Sequence, residues 1–278
     1  MAGILYLVPT PIGNLGDISI RCRETLEQAD FIAAEDTRVS LKLLNHLGIK
    51  KSLVSYYEHN KAFKGDQIVQ RILAGETCAL VSDAGSPAIS DPGEDLVKQC
   101  AAAGITVCAI PGPCAAITAL SISGQATGRF CFEGFLSTSK KSRREHLESL
   151  RREQRTMIFY EAPHKLVGTL EDMAQTFGPD RGISLCRELT KLHEEVIRTT
   201  LGGALELYRE NAPKGEFVLI LAGAEPETEE ALSETDAAAY LARLMASGLS
   251  RKDAVKQTAK DLGLPKNVVY DLSLKDSE

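Results

Sequence analysis

The segment 78–87, whose sequence is CALVSDAGSP, determines the fold that we predict for this chain. It opens with a run of apolar and small residues, which is typical of a strand covered on both faces of a sheet. An aspartate, a glycine and a proline follow within the next five residues, and this composition predicts a tight loop. We therefore expect a buried parallel strand over Cys78–Ser82 that ends in a polar loop.

The same pattern of strand and loop recurs on both sides of this segment. Further strands are predicted at Ile4–Pro9, Phe31–Ala34, Leu53–Tyr57 and Thr106–Ile110. Helical periodicity lies between them, at about residues 19–29, 37–47, 61–74, 92–103 and 113–123. Strands that alternate with helices are typical of a mostly parallel α/β sheet, and we predict such a sheet for the first half of the chain.

Four loops rich in glycine, proline or acidic residues follow these strands. They are Thr10–Asp17 (TPIGNLGD), Glu35–Arg38 (EDTR), Ser82–Pro87 (SDAGSP) and Pro111–Cys114 (PGPC). In open α/β sheets, ligands bind outside the carboxyl ends of the parallel strands, which meet at one edge. We therefore expect the four loops to surround a single ligand site.

The first loop does not supply the phosphate-binding glycines that a dinucleotide needs. It has the pattern G-x-x-G rather than G-x-G-x-x-G, and Pro11 removes a backbone donor. S-adenosylmethionine has no phosphate; glycines would let the backbone approach it closely, and Asp83 could pair with a cationic group. The sequence therefore favours S-adenosylmethionine over NAD. The alternative that these glycines and prolines only shape tight turns stays open for Gly85, Pro87, Gly112 and Pro113.

A second group of strands begins near Phe130 and differs in its spacing. These strands are predicted at Phe130–Phe135, Thr156–Tyr160, Gly182–Leu189, Glu194–Thr200 and Glu216–Ala222, with helices near 140–153, 164–177 and 202–211. Because helices do not separate the strands regularly, we predict a mixed sheet. The segment 124–129 is the predicted junction between an N-terminal α/β domain over 1–125 and a second α/β domain over 126–225, with the ligand cleft between them.

Residues 226–278 are predicted to form a linker and a small helical, helix-turn-helix-like extension. The first of these residues are acidic and poor in apolar side chains, as in a solvated linker. An amphipathic helix is predicted at Thr235–Met245, and a second begins after Ser250 as its cap and ends at Gly263. Pro265 opens a third helix. The extension either contacts RNA or packs as a small bundle, and the sequence leaves both open.

The bulk composition is that of a globular protein without a membrane segment. The chain has 278 residues, of which 44 % are apolar, and a formal net charge of −6. No apolar run reaches the roughly 20 residues that cross a bilayer. The start of the chain lacks the features of a signal peptide, so we expect a cytoplasmic protein. Seven scattered cysteines without a C-x-x-C pair predict neither zinc nor disulfides, and no ligand cluster indicates another metal.

Ionisable residues concentrate at the strand ends of the second half. They occur in YEAPH at Tyr160–His164, in RELTK at Arg187–Lys191 and in HEE at His193–Glu195. Methyl transfer to a hydroxyl requires that nucleophile and methyl donor are aligned and that one proton is removed. The candidate catalytic residues are Lys191, Glu188 and His193, and the sequence does not choose the base among them.

One segment of this acidic protein is strongly basic. Residues 139–155 contain seven lysines and arginines against three glutamates. We predict that Lys140, Lys141, Arg143 and Arg144 contact the phosphates of an RNA, which would make binding fall steeply with salt. The alternative is an ordinary solvated helix face.

The loops and strand ends together resemble one known family. The motifs are TPIGNLGDIS, AAEDTR, VSDAGSPAISDPG, PGPCAAITALSISG, FEGFL, YEAPHK, RELTK and KGEFVLI, which follow one another from about Leu5 to Ala222. They resemble the tetrapyrrole-methylase superfamily and, within it, the branch of 16S ribosomal RNA cytidine 2'-O-methyltransferases. The C-terminal extension is similar to the helix-turn-helix extension of that branch.

The resemblance implies a two-domain α/β methyltransferase that works as a homodimer. Its N-terminal sheet would be rich in parallel strands and its second sheet mixed, with S-adenosylmethionine bound in a folded conformation between the domains. The motif match places these residues around the cofactor: Pro11, Gly13, Asp83, Gly85, Pro87, Pro111, Gly112, Cys114, Ala162, Glu216 and Phe217.

The resemblance also implies a substrate. The first loop, TPIGNLGD, departs from that of corrin-pathway relatives, which favours RNA over a tetrapyrrole. We expect methylation of the ribose 2'-hydroxyl of a cytidine in the decoding region of 16S RNA, with the small ribosomal subunit as partner. Two alternatives stay open: a methyltransferase that acts on a small tetrapyrrole-type molecule or on a modified protein side chain, and a ribosome assembly factor without catalytic activity.

Overall fold

The structure of the chain, a computed structural model, describes residues 2–225, 234–262 and 264–275, and of residues 234–236 and 275 only the backbone. The chain divides into two units, of which the first ends at Gly223 and the second begins at Ala224. No helix in the described part of the chain is both long and apolar enough to span a membrane.

Five short strands of the first unit form a fully parallel sheet. They are β1 (Ile4–Leu7), β2 (Phe31–Ala34), β3 (Ser52–Ser55), β4 (Cys78–Val81) and β5 (Thr106–Ala109). Their order in the sheet is β3-β2-β4-β1-β5, so that β1 and β4 are neighbours. Every residue of β2 and β4 is buried. Burial on both faces explains why these strands are continuous in apolar residues, and the predicted parallel sheet is confirmed.

Four helices connect these strands and pack on both faces of the sheet, and a fifth follows its last strand. They are α1 (Ile20–Gln28), α2 (Thr37–Leu47), α3 (Lys61–Leu73), α4 (Gly93–Ala102) and α5 (Ala115–Ser123). One buried cluster contains Leu5 and another contains Ile32, on opposite faces. The carboxylate of Asp36 caps α2 by accepting a hydrogen bond from the amide of Arg38 at 2.8 Å. This cap lets the helix begin directly after β2, at the edge where ligands bind.

The second sheet is mixed, as predicted. Its strands are β6 (Phe130–Phe135), β7 (Thr156–Glu161), β8 (Gly182–Arg187), β9 (Glu195–Thr200) and β10 (Phe217–Leu221), in the order β6-β7-β10-β8-β9. The pair β6 and β7 is parallel, and the other three pairs are antiparallel.

Two layers of helices cover the second sheet. The helices α6 (Lys140–Ser149), α7 (Pro163–Phe177) and α8 (Leu201–Glu210) share a buried cluster with one face. On the other face, Ala119 of α5 packs with Ile158 and Ile220, so the helix that follows the first sheet in the chain covers the second sheet. The domain boundary predicted between residues 125 and 126 falls in the connection from α5 to β6, and it stays a prediction.

The described residues of the second unit form three helices: α9 (Glu234–Ala246), α10 (Arg251–Asp261) and α11 (Lys266–Lys275). They enclose a small core of their own that includes Leu241, Val255 and Leu272. Ser250 caps α10 as predicted, since its side chain accepts a hydrogen bond from the amide of Asp253. The predicted helix end at Gly263 and most of the predicted linker lie outside the described residues.

Candidate cofactor site

A cavity of about 560 Å³ lies at the carboxyl ends of β1, β2 and β4, within the first unit. Its volume falls in the range of roughly 300–1,000 Å³ that is typical of small-molecule sites. Each of the four loops that we expected around one site contributes to the wall, through Ile12, Glu35, Asp83 and Cys114 among others. The second sheet supplies further wall residues at the ends of β6, β7, β8 and β10. The structure thus brings the four loops together at one cavity.

The loops after β1 and β4 are joined by backbone hydrogen bonds. The amide of Thr10 donates to the carbonyl of Gly85 at 3.0 Å, and the amide of Gly85 donates to the carbonyl of Thr10 at the same distance, 3.0 Å. The hydroxyl of Thr10 also donates to the carbonyl of Ser82 at 3.2 Å. Gly85 has a φ of 85°, in the left-handed region that favours glycine. These two loops therefore form one continuous side of the cavity.

Of the five carboxyl groups that line the cavity, three lie on the side formed by the first sheet, those of Glu35, Asp83 and Asp91. Asp83 accepts a hydrogen bond from the backbone amide of Asp36 at 2.9 Å, which fixes its carboxylate at the end of β4. Burial raises the pKa of Glu35, and the charges of Asp83 and Asp91 raise it further. Burial also raises the pKa of Asp91. The carboxyl groups of Glu35, Asp83 and Asp91 thus concentrate negative charge on one wall, and a cationic ligand would reduce the repulsion between them.

Asp91 stabilises its own loop with one oxygen and leaves the other without a partner. Its Oδ1 accepts hydrogen bonds from the amide of Ala88 at 3.0 Å and from that of Gly93 at 2.7 Å. Its Oδ2 is buried and has no hydrogen-bond partner among the described residues. Ala88 and Ser90 have φ angles of 67° and 62°, a region that non-glycine residues rarely adopt. The hydrogen bonds of Asp91 thus support a strained loop at the cavity wall.

The second sheet contributes an aromatic part of the wall around Tyr160. Its hydroxyl accepts a hydrogen bond from the amide of Ala116, in the first turn of α5, at 3.1 Å. Burial raises the pKa of Tyr160 to about 12, so its hydroxyl keeps its proton at neutral pH. The rings of Phe132 and Phe135 both contact Tyr160, with centroid distances of 5.0 Å and 5.4 Å. Of these two phenylalanines, Phe135 lines the cavity.

Lys191 forms an ion-pair network with two glutamates at the edge of the cavity, which we call the Lys191 network. Its Nζ lies 2.9 Å from Oε1 of Glu188 and 3.0 Å from Oε2 of Glu216. Glu188 Oε1 also accepts a hydrogen bond from the amide of Glu216 at 2.9 Å. Glu216 itself lines the cavity.

The pKa shifts in the Lys191 network bear on the choice of catalytic base. Burial lowers the pKa of Lys191, but its hydrogen bonds to Glu188 and Glu216 outweigh burial and raise that pKa above its ordinary value. The hydrogen bond from Lys191 holds the pKa of Glu188 below its ordinary value. Lys191 is therefore a cation at neutral pH, with no free electron pair to accept a proton. None of the three candidates Lys191, Glu188 and His193 lines the cavity. Lys191 and Glu188 both contact Glu216, which does, whereas His193 is exposed.

The residues predicted to bind the cofactor fall into two groups. Those that line the cavity are Asp83, Gly85, Cys114, Ala162, Glu216 and Phe217. Those that lie in the same loops without lining it are Pro11, Gly13, Pro87, Pro111 and Gly112. A Cβ built on Gly13 would lie 2.5 Å from Cγ of Lys191, and one on Gly112 would lie 2.8 Å from Cβ of Pro9. These two glycines thus let neighbouring segments approach each other closely.

Our sequence analysis missed several residues of the wall. Ile89 and Asp91, in the loop before α4, and Phe135 and Tyr160, at the ends of β6 and β7, were not among the predicted site residues. For Asp91 a signal exists in the dipeptide Asp-Pro just before a helix, which marks a turn that its carboxylate can stabilise. For Phe135 the signal is Gly134, because a glycine inside a strand often marks a bulge.

The residues predicted to contact RNA phosphates differ in their exposure and in the ion pairs that they already form. Arg143 and Arg144 of α6 both bind Asp172 of α7, at 2.6 Å and 2.7 Å, in an arrangement that we call the Asp172 fork. The side chain of Asp172 is 2 % exposed, that of Arg143 12 % and that of Arg144 45 %. Lys140 and Lys141 are exposed at the start of the same helix. The two lysines and Arg144 can therefore meet a phosphate more readily than Arg143.

The cavity suits S-adenosylmethionine, which has a cationic sulfonium and ammonium beside an adenosine. The carboxyl groups of Glu35, Asp83 and Asp91 can stabilise its positive charges, and the unpartnered Oδ2 of Asp91 offers a buried acceptor. Ile12, Leu189 and Phe217 supply apolar wall for the adenosine. Among the described residues, no group of three or more histidine, cysteine, aspartate or glutamate side chains is arranged to hold a metal ion.

Solved structures of low sequence identity share the fold. A diphthine synthase superposes with a TM-score of 0.61 at 14 % identity, covering 79 % of this chain and 90 % of that one. A cobalt precorrin-4 methyltransferase superposes with a TM-score of 0.58 at 16 % identity, covering 78 % of this chain and 94 % of that one.

Relatives of much higher identity extend over nearly the whole chain. The "Ribosomal RNA small subunit methyltransferase I" of Synechocystis sp. is 50 % identical over 98 % of both chains, and that of Bacillus subtilis is 46 % identical over 97 % of this chain and 93 % of its own. Residues 231–277 match the profile "RsmI C-terminal HTH domain". Residues 4–205 match the profile of the tetrapyrrole (corrin/porphyrin) methylases. The chain therefore belongs to the tetrapyrrole methylase family and is an S-adenosylmethionine-dependent methyltransferase.

Proposed function

We propose that this enzyme transfers a methyl group from S-adenosylmethionine to the ribose 2'-hydroxyl of a cytidine in the decoding region of 16S ribosomal RNA. The observation that carries the proposal is the identity of 50 % over 98 % of both chains with a relative named as a methyltransferase of the small ribosomal subunit. The profile match at residues 231–277 supports it, because it extends the similarity to the helices outside the cofactor unit. The proposed substrate is the small subunit, and the proposed location is the cytoplasm.

The proposed cofactor-binding residues are those of the predicted set that line the cavity. We assign Asp83, Gly85, Cys114, Ala162, Glu216 and Phe217 to direct contact with S-adenosylmethionine, which supplies an electrophilic methyl group when it is bound. Pro11, Gly13, Pro87, Pro111 and Gly112 shape the loops that carry those contacts. The protein's part in the reaction is to hold donor and acceptor in line, since alignment accounts for much of the rate in such transfers.

The Lys191 network is the proposed site of contact with the ribose. An ammonium that stays charged donates hydrogen bonds, so Lys191 orients the 2'-hydroxyl and stabilises negative charge that develops on its oxygen. The carboxylate of Glu188 or that of Glu216 takes up the proton, because both lie within 3.0 Å of Lys191 and are acceptors when ionised. We assign no part in this proton transfer to His193, because its side chain is exposed.

The RNA-binding surface in this proposal is the start of α6. Lys140, Lys141 and Arg144 contact phosphates, while Arg143 positions the helix through Asp172. Each phosphate contact releases counterions, so affinity for the subunit falls as salt rises. The enzyme is further proposed to be a homodimer, which light scattering of the purified protein tests directly.

The test is incubation of the enzyme with methyl-labelled S-adenosylmethionine and small subunits from cells that lack it, followed by nucleoside analysis. Label in 2'-O-methylcytidine is the expected result. Label in a small tetrapyrrole but not in RNA would instead establish a small-molecule methyltransferase. Binding to the subunit and to the cofactor without any transfer would point to an assembly factor.

A further inference from the structure

Phe135 stands out among the aromatic residues because it lies on the cavity wall and is largely exposed. Its side chain is 57 % exposed, whereas Phe159 on the neighbouring strand is fully buried. A single exposed apolar side chain needs no explanation on an ordinary surface. In the wall of a ligand cavity, an exposed ring indicates a surface that a ligand contacts, because covering the ring buries apolar area.

A β-bulge places this ring in the cavity. The pairing of β6 with β7 shifts register between Phe132 and Gly134, and Gly134 has a φ of 64°. In a regular strand, residues three apart point to opposite faces. Here Phe132 and Phe135 both contact Tyr160, so the inserted residue has turned Phe135 to the same side. Bulges near active sites commonly redirect a side chain in this way.

The bulge also joins the ring to the loop that carries Asp91. A Cβ built on Gly134 would lie 3.2 Å from Oγ of Ser90, which itself lines the cavity. Glycine at this position therefore allows the two walls to approach each other. A larger residue in place of Gly134 would both strain the backbone and displace Phe135.

The surroundings of Phe135 differ in charge from the acidic part of the wall. Nζ of Lys165 lies 5.8 Å from its ring centroid and 3.1 Å from Oε1 of Glu161. Glu161 is buried and is also bonded to Thr169 at 2.6 Å. Its negative charge is thus balanced by Lys165, and the ring presents a flat, neutral surface beside an ammonium. Such a surface suits a planar ligand with carbonyl or ring-nitrogen acceptors, such as a nucleobase.

We propose that Phe135 is the platform on which the base of the methyl-accepting nucleotide stacks. The inference rests on the proposed function, and it adds a positioning residue to it. Enzymes that act on single nucleotides commonly hold the target base on an aromatic side chain, which fixes the attached ribose as well. Stacking on Phe135 would leave the acidic wall to the cationic cofactor and place the ribose between the two.

The experiment compares Phe135→Ala and Phe135→Trp with the wild-type enzyme. We measure KM and kcat for small subunits, the Kd for S-adenosylmethionine by calorimetry without RNA, and the melting temperature. Loss of one base–aromatic stack is expected to raise KM for the subunit by roughly 5- to 100-fold. Cofactor affinity should stay unchanged, and Phe135→Trp should restore the low KM because tryptophan stacks equally well.

Phe130 provides a matched control, since it lies on the same strand, is 39 % exposed and does not line the cavity. Phe130→Ala should leave KM for the subunit unchanged. A weakened cofactor Kd in Phe135→Ala would assign the ring to S-adenosylmethionine and overturn the inference. An unchanged KM in that variant would overturn it too. A wild-type enzyme that binds cofactor but labels no RNA would overturn the proposed function and the inference together.

Discussion

Two ion-pair networks of opposite composition lie on the helices and loops around the second sheet. In the Asp172 fork, one carboxylate binds two arginines and is 2 % exposed. In the Lys191 network, one ammonium binds two carboxylates and is 30 % exposed, and one of those carboxylates is 78 % exposed at the cavity. The fork joins two helices, whereas the Lys191 network lies where a ligand can reach it.

The difference between them shows how the same chemistry serves stability in one place and function in another. A buried ion pair cannot lose one partner without leaving an uncompensated charge out of water. An ion pair open to solvent contributes little to stability, and its charges stay available to a substrate. We therefore expect variants of the Asp172 fork to change the free energy of unfolding, and variants of the Lys191 network to change the reaction.

The largest effect is expected from Asp172→Asn. Breaking a buried pair costs roughly 3–5 kcal/mol, and because asparagine keeps part of the hydrogen bonding, we expect a loss of about 3 kcal/mol. The melting temperature should fall by roughly 6–12 °C for a chain of this size. Urea unfolding measures the loss. Glu171→Gln is the control: Glu171 precedes Asp172, is 53 % exposed and lies 3.9 Å from Arg209, so its loss should change little.

The next effect is expected from Lys191→Met, which keeps the stem that packs against Gly13 and removes the charge. Loss of a hydrogen-bond donor to the reacting oxygen should lower kcat by about 100-fold, with little change in melting temperature. Lys98→Met is the control, because Lys98 forms an exposed ion pair with Glu94 away from the cavity. Equal losses of activity in both variants would contradict the role assigned to Lys191.

A finer comparison lies within the Asp172 fork itself. Arg143 is 12 % exposed and Arg144 is 45 % exposed. Arg143→Met should lower the free energy of unfolding by about 2 kcal/mol and Arg144→Met by less than about 1 kcal/mol. Conversely, Arg144→Met should reduce the salt dependence of subunit binding by about one phosphate contact, whereas Arg143→Met should not. If Arg143→Met alone changed the salt dependence, Arg143 would be an RNA contact after all.

The smallest effect is on the pH dependence of stability. Burial disfavours ionised Asp172, but hydrogen bonds from Arg144 and Arg143 outweigh it and hold the pKa below its ordinary value of 3.8. The unfolded chain then binds more protons in that range, so the stabilisation is present above pH 3.8 and is lost as pH falls through the folded pKa. The pKa of Lys191 is raised above its ordinary value of 10.5. Its contribution to stability is therefore present below pH 10.5 and is lost as pH rises through the folded pKa.

Unfolding curves measured at acidic and at alkaline pH should separate the contributions of Asp172 and Lys191. The difference in stability between wild type and Asp172→Asn should shrink as pH falls below about 4. The wild-type enzyme should lose stability as pH rises above about 10.5, and Lys191→Met should lose less. The difference in the free energy of unfolding should stay below about 1 kcal/mol, because Lys191 is partly exposed. A difference for Asp172→Asn that stayed constant down to pH 2 would mean that the carboxylate contributes through packing rather than charge.

The sequence predicted those parts of the molecule that follow from local pattern. The sequence predicted every strand of both sheets. The pattern is clearest in β2, β4 and β10, in which every residue is buried and the apolar run is nearly continuous. The position of the four loops at one cavity followed from the rule that parallel strands end at one edge. For the same reason Asp83 could be named in advance as a wall residue, whereas Cys114 was named from the family resemblance.

Long-range packing decided what the sequence could not predict. Asp172 is one acid in an amphipathic helix, and its burial depends on how α6 packs on α7. The basic segment therefore gave no sign that Arg143 would be drawn inward. The direction of Phe135 depends on one inserted residue in β6, since a register shift moves a side chain to the other face.

The paired hydrogen bonds between Thr10 and Gly85 have a consequence for ligand affinity. They connect two loops that are 75 positions apart in sequence, so neither loop can open without breaking the bonds of the other. The conformational freedom of these loops is therefore lost when the chain folds rather than when a ligand arrives. A ligand that meets such a preorganised surface keeps more of its contact energy as affinity. Slow hydrogen exchange at both amides in the ligand-free protein would be the mark of this preorganisation.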